Sequence, residues 1–168
     1  RNEDIAERQR VALNIADAEA NQIIERLNGA LSSTYALAAV LRQHDYKPDY
    51  AWMEPLAHEL LRYHPGTSNL QFSPAGITSY IVPLAGNERA IGNNLLVRND
   101  RNKEALLAVE SRKLTLAGPF ELRQGGIGLV GRLPVFKGEG KPDDPFWGFA
   151  VALMLVDQLL KSTDIKRL

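Results

Sequence analysis

The sequence of 168 residues contains no cysteine, which excludes thiolate metal sites, thiol nucleophiles and disulfide frameworks. It also lacks an excess of charge, because 20 basic residues stand against 20 acidic ones. Proteins that bind nucleic acids concentrate Lys and Arg on one face, so we expect no nucleic-acid partner. No apolar run approaches the roughly 18 residues of a membrane-spanning helix. The chain starts at Arg1, and we interpret it as an excised segment that a signal or anchor can precede.

Patterns of catalytic and metal-binding residues are also missing. The three histidines, His44, His58 and His64, do not form the two-histidine, one-carboxylate spacing of a helical zinc site. No serine lies in a Gly-x-Ser-x-Gly turn. Asp143 and Asp144 are adjacent carboxylates, but prolines flank them in a predicted loop, where solubility is the commoner role. We therefore expect no metal site and no cofactor, and we expect this segment not to be an enzyme.

One glycine-rich run, GGIG at residues 125–128, invites comparison with a phosphate-binding loop. Such loops lead from a strand into a helix, whose N-terminus faces the phosphate. The residues that follow here, Leu129, Val130, Leu133 and Val135, have the spacing of a strand. The run therefore predicts a tight hairpin whose glycines adopt positive φ.

The first quarter of the chain predicts one long helix at residues 2–44, with no proline and one glycine. At about 1.5 Å per residue this helix is roughly 60 Å long, more than the width of a small domain. Its apolar or small residues alternate in steps of three and four, at Leu13, Ala16, Ala20, Ile23, Leu27, Ala30, Thr34, Leu37 and Leu41. The stripe widens after Leu27, which predicts a dimer stalk before it and a helix that covers a domain after it. A bundle helix with no role in dimerisation is the alternative.

The remaining elements follow from changes of hydrophobic period. They are a helix at 49–63, two short strands between Leu70 and Val82, a helix at 101–112, strands at 114–122, 127–136 and 146–155, and a short helix at 156–161. Five strands with a helical connection in the middle indicate an antiparallel sheet with helices packed on it. The fold class predicted is therefore α+β.

Three polar residues are candidates for ligand contacts. Arg132 shares one side of its alternating strand with mostly apolar residues, so its guanidinium needs a carboxylate, a sheet edge or a ligand anion. An internal ion pair or a side chain that reaches solvent is the alternative. Asn94 and Gln124 lie at the ends of predicted loops, where a carboxamide either forms hydrogen bonds with donors and acceptors of a ligand or caps a turn.

From Tyr80 to Leu160 the sequence resembles the CHASE family, the extracytoplasmic sensor domains of plant cytokinin receptors and of many bacterial membrane signalling proteins. The segments that carry the resemblance occur in the family's order. They are VPLAGNERAIG at 82–92, LL at 95–96 with the helix after it, AGPFEL at 117–122, RLPVF at 132–136, FWGF at 146–149 and VDQLL at 156–160.

The resemblance implies a PAS-like domain on a long stalk helix, placed between two membrane-spanning segments and dimeric. It also implies a small-molecule ligand between the sheet and its covering loops. By this resemblance Asn94 stands where the family has a ligand-contacting aspartate, and Gln124 lies near its loop threonine. Leu133 and Phe149 fall at pocket positions, and Tyr80, where the resemblance begins, is a further candidate contact. The missing aspartate argues against an adenine-type cytokinin as ligand.

We therefore predict a stalk at residues 1–44 and a single PAS-like ligand-sensing domain at 45–168. The function expected is that of a periplasmic small-molecule sensor in a membrane receptor. Its cytoplasmic output is expected to be a diguanylate cyclase, a phosphodiesterase or a histidine kinase. A periplasmic module that binds no ligand, and only dimerises or docks another protein, is the alternative.

Overall fold

The computed structural model describes residues 1–122 and 124–161. In chain order the elements are α1 (Asn2–Gln43), α2 (Tyr50–Tyr63), β1 (Thr67–Pro74), β2 (Tyr80–Val82), a 3-10 turn (Glu88–Ala90), α3 (Lys103–Ser111), β3 (Thr115–Glu121), β4 (Ile127–Phe136), β5 (Phe146–Leu155) and α4 (Val156–Leu160). The strands form one antiparallel sheet in the order β2-β1-β5-β4-β3. This confirms the predicted α+β fold, a long helix followed by a five-stranded PAS-like domain.

Most element bounds agree with the sequence pattern to within one residue, and β4 and β5 agree at both ends. The largest difference is at β1, which was predicted from Leu70 and begins at Thr67. A smaller one is at α3, which was predicted from residue 101 and begins at Lys103. The residue before it, Asn102, is buried and donates through Nδ2 to the carbonyl oxygens of Asn94 (3.2 Å) and Val97 (2.8 Å). These bonds hold the chain before α3 in a turn, which delays the start of the helix.

The two halves of helix α1 differ in their packing. Its second half packs on β5, β4 and β1 through the buried residues Ala30, Thr34, Leu37 and Leu41. In the first half Leu13 remains 66% exposed. Among the described residues no helix has both the length and the apolar character that crossing a bilayer requires.

The two faces of the sheet are covered differently. On the first, which we call the helix face, α1 and α2 pack on an apolar core that contains Phe72, Leu133 and Met154. On the second, which we call the cavity face, α3 covers a smaller cluster that includes Phe149 and Val151. The long segment between β2 and α3, the 83–102 connection, lies over the rest of this face, and space remains beneath it.

Candidate functional site

A cavity of about 270 Å³ lies between the cavity face of the sheet, the 83–102 connection and the turn from β3 to β4. Its apolar lining consists of Ala90, Leu95, Phe120, Leu122, Val130, Val151 and Leu153. Its polar lining consists of Gln71, Thr78, Asn93, Asn99, Arg101, Asn102, Gln124 and Arg132. Such a mixture of apolar wall and a few directed polar groups is typical of small-molecule sites.

The loop wall of the cavity is fixed by backbone hydrogen bonds to the β1–β2 hairpin. Thr78 donates its N–H to Asn93 O (2.9 Å) and accepts through its own carbonyl from the Gly92 N–H (2.8 Å). The Leu95 N–H donates to Gly76 O (2.8 Å). The connection is therefore attached along one edge of the sheet and spans the open face beside it.

The floor of the cavity is a row across three strands. Gln71 of β1 pairs with Val151 of β5, and Val151 pairs with Arg132 of β4. Since neighbouring strands lie about 4.8 Å apart, the amide and the guanidinium start from Cα atoms roughly 10 Å apart. Gln71 donates its Nε2 to Asn69 Oδ1 at 2.8 Å. In this row Val151 separates the hydrogen-bonded carboxamide of Gln71 from the guanidinium of Arg132.

Arg132 is the buried cation of this site, with 4% of its surface exposed. Its Nη1 donates to Arg101 O at a long 3.4 Å, and its Nε–H has no hydrogen-bond partner among the described residues. Desolvation lowers the pKa of Arg132 to about 10, with Glu104 opposing and Arg101 adding to the effect. The side chain therefore remains charged near neutral pH in an environment that disfavours charge.

Gln124 supplies a second buried donor to the same cavity. Its Nε2 is buried and has no partner within the described part of the chain. The turn that carries it contains Gly125 (φ 102°) and Gly126 (φ 81°), which confirms the predicted hairpin with positive φ. Two unsatisfied donors on one cavity are unusual, because most buried polar groups find a partner in protein or water.

Arg101 closes one side of the cavity. Its guanidinium lies 4.7 Å from the centre of the Phe120 ring and donates to the carbonyl oxygen of Glu121. Through these contacts Arg101, at the end of the 83–102 connection, is attached to β3. Arg101 and Arg132 are the charged residues of the lining, and no carboxylate of the described residues lines it.

The residues predicted from the sequence divide into two groups. Arg132 and Gln124 line the cavity, and Phe149 packs beside it in the apolar cluster of the same face. Asn94 lies outside the lining, exposed, and its Oδ1 accepts from the Leu96 N–H at 3.0 Å, so its carboxamide caps a turn.

Leu133 and Tyr80 lie on the helix face, where Tyr80 packs against Tyr50 with ring centres 5.2 Å apart. Successive residues of a strand point to opposite faces, so Arg132 and Leu133 cannot both line one cavity. A ligand bound in this cavity would therefore not contact Leu133 or Tyr80.

Several lining residues were not identified from the sequence, chiefly Gln71, Asn93, Arg101 and Asn102. One signal was present: Asn69, Gln71 and Ser73 place polar side chains at alternate positions of a strand that proves to be buried. Asn93 and Asn102 gave no comparable signal, because loop carboxamides most often serve turns. Among the described residues no group of His, Asp or Glu could hold a metal ion.

Comparison with known proteins points to one family. A model of the CHASE domain matches residues 36–167. The solved structure of an extracellular ligand binding receptor from Desulfohalobium retbaense is similar, with a TM-score of 0.66 and 17% identity, over 86% of this chain and 25% of that one. The ligand-binding domain of the Pseudomonas aeruginosa amino acid chemoreceptor PctC, in complex with GABA, has a TM-score of 0.55 and 20% identity, over 87% of this chain and 63% of that one. At these identities the likeness is one of fold. No curated protein sequence matches this chain.

Proposed function

The chain belongs to the CHASE domain family of extracytoplasmic sensor domains, and on this premise we propose that it binds a small molecule in the cavity beneath the 83–102 connection. The observation that carries the proposal is a pair of buried donors on this one cavity, Arg132 Nε and Gln124 Nε2, for which the described residues offer no hydrogen-bond partner. A buried donor without a partner costs about 1–3 kcal/mol, and a ligand acceptor would recover that free energy. The two solved domains of similar fold, one described as a ligand binding receptor and one bound to GABA, support a small-molecule ligand.

We further propose that the domain is the periplasmic part of a membrane receptor with a diguanylate cyclase, phosphodiesterase or histidine kinase as its cytoplasmic output. Strand β5 carries Val151 and Leu153 of the cavity and continues directly into α4. Helix α1 packs on the other face of the same strand, and Arg26 of α1 donates to Leu159 O of α4 at 2.6 Å. A shift of β5 on ligand binding would thus reach both terminal helices. The ligand can favour the shifted arrangement only as far as it binds that arrangement more tightly than the unshifted one.

Ligand binding is expected to raise the melting temperature of this chain. A ligand at a hundred times its Kd stabilises by about 2.7 kcal/mol, which for a domain of this size is roughly 5–10 °C. Differential scanning fluorimetry against a metabolite library would measure the shift. Val130→Phe, which fills the cavity, should abolish it, whereas Val11→Phe on the exposed first half of α1 should leave it intact. If no compound stabilises the chain, the alternative of a ligand-free docking module is favoured.

The first half of α1 is proposed to form a dimer stalk in the receptor, separate from the sensing domain that begins at residue 45. Leu13, Ala20 and Leu27 recur at intervals of seven, as in the seam of a two-stranded coiled coil. Within this seam Leu13 is 66% exposed in the single chain. A second copy of the helix would cover this surface.

Leu13→Glu is accordingly expected to weaken self-association by about tenfold or more, because it places two like charges in the seam. Sedimentation equilibrium of the chain would measure the change. Ala18→Glu adds the same charge at an exposed position about 140° away around the helix, and should have little effect. Equal association of both variants would argue against the stalk.

A further inference from the structure

The cavity has a charge that the described residues do not balance. Arg132 lines the cavity with 4% of its surface exposed. Its guanidinium forms no ion pair with any described residue. The carboxylate that acts on it most strongly is Glu104, but Glu104 is paired with Lys103 at 3.8 Å. Burial of a charge is strongly unfavourable unless it is paired and hydrogen-bonded.

The neighbours of Arg132 increase this imbalance. The only other charged residue of the described lining is Arg101, which is also a cation and which disfavours the charge on Arg132 further. The remaining polar residues of the described lining are neutral. Among them Gln124 has a buried amide donor, Nε2, to which no described residue offers an acceptor. The site therefore has donors and positive charge in excess and is complementary to an anion that accepts hydrogen bonds.

We infer that the ligand of this cavity carries a carboxylate, which pairs with the Arg132 guanidinium and has the Gln124 amide as a further donor. The inference rests on the proposed function, since it names the ligand class of the same site. A guanidinium presents a planar pair of N–H groups that matches the two oxygens of a carboxylate.

The rest of the lining distinguishes an organic acid from an inorganic anion. Apolar side chains, among them Val130, Val151 and Leu153, cover much of the wall and would contact a hydrocarbon skeleton. A phosphate or sulfate ion would leave them without a partner. The cavity of about 270 Å³ lies just below the roughly 300–1,000 Å³ of pockets that bind drug-sized ligands. A compound of the size of an amino acid or a short dicarboxylic acid fits this space.

The test compares carboxylates with their uncharged counterparts on the whole chain. Isothermal titration would use GABA, L-alanine, L-proline and succinate, each against its carboxamide, with inorganic phosphate and sulfate as further probes. We expect at least one acid to bind about 10- to 100-fold more tightly than its amide, the factor that one charge-assisted hydrogen bond supplies. Arg132→Gln should remove this preference and change the affinity for the amide little. Gln124→Ala should weaken the acid several-fold.

Each outcome bears on one of the two proposals. Tighter binding of the amides, tighter binding of phosphate than of any organic acid, or an unchanged acid preference in Arg132→Gln would overturn the carboxylate inference while a small-molecule site remained. Absence of binding by every acid, amide and ion, with no stabiliser in the wider metabolite library, would overturn the sensor function itself. Circular dichroism of each variant establishes that it is folded, and Arg132→Lys, which keeps the charge but not the planar fork, provides a second variant for the same comparison.

Discussion

Phe72→Ala is expected to lower the free energy of unfolding by about 3–5 kcal/mol. Phe72 has no exposed surface and lies in β1 between the sheet and α2. Its ring meets Trp52 and Trp147 edge-on, with centres 5.7 and 5.9 Å away. Trp52 is itself held by a stack on His44 and by a hydrogen bond from its Nε1 to Lys47 O. The surroundings therefore cannot collapse into the space that the ring vacates, and the full cost of a cavity applies.

Urea unfolding followed by circular dichroism would measure this loss. Tyr63→Ala is the matched control, because Tyr63 is an aromatic residue that is 68% exposed, and a change of about 0.5 kcal/mol or less is expected there. A loss below about 1.5 kcal/mol for Phe72→Ala would mean that the helix face is loosely packed.

Arg132→Met is expected to have the opposite effect to Phe72→Ala and to raise the free energy of unfolding of the unliganded chain by about 1–4 kcal/mol. The lowering of the Arg132 pKa to about 10 corresponds to a penalty on the order of 3 kcal/mol for holding the charged form in the fold. Methionine has an apolar side chain of comparable length, so it removes this penalty and occupies most of the space that the arginine side chain vacates. Arg98→Met, at an exposed position of the 83–102 connection, should change stability by about 0.5 kcal/mol or less.

The pH dependence of this difference follows from the sign of the pKa change. A base whose pKa is lower in the folded state destabilises the fold at every pH below that value, and the penalty is relieved only as pH rises through it. With the pKa of Arg132 near 10, wild type and Arg132→Met should differ by a constant amount between about pH 6 and about pH 8. A loss of stability in Arg132→Met would instead indicate that Arg132 has a stabilising partner within the protein, and would favour the ligand-free docking module.

Together the two substitutions contrast the two faces of one sheet. The helix face is closely packed, with Phe72, Leu37 and Met154 fully buried, and it provides stability. The cavity face keeps an open space and a buried cation at a cost in stability, as binding sites often do. Because β5 contributes residues to both faces, the floor of the cavity rests on the packed core of the helix face.

The elements of this protein could be predicted from the sequence because their signals are local. A continuous apolar run at 146–155 identified β5, and alternation at 127–136 identified β4, each at both ends. The stripe from Leu27 to Leu41 identified the half of α1 that covers the sheet. The same alternation placed Arg132 among apolar neighbours. Leu133 was included in the same site, although the pleat sends it to the other face.

What the sequence by itself determined, then, was the type of each element and the side on which Arg132 lies. Whether Arg132 has a partner was decided by tertiary structure alone, because that depends on groups far apart in the chain. The last strand, β5, inserts between β1 and β4 and so brings Gln71 into the row of Arg132. The 83–102 connection, attached to the β1–β2 hairpin by hydrogen bonds, leaves space above that row. Hydrophobic period predicts the burial of a side chain, but the cavity, and the absence of a carboxylate from its described lining, result from how distant segments meet.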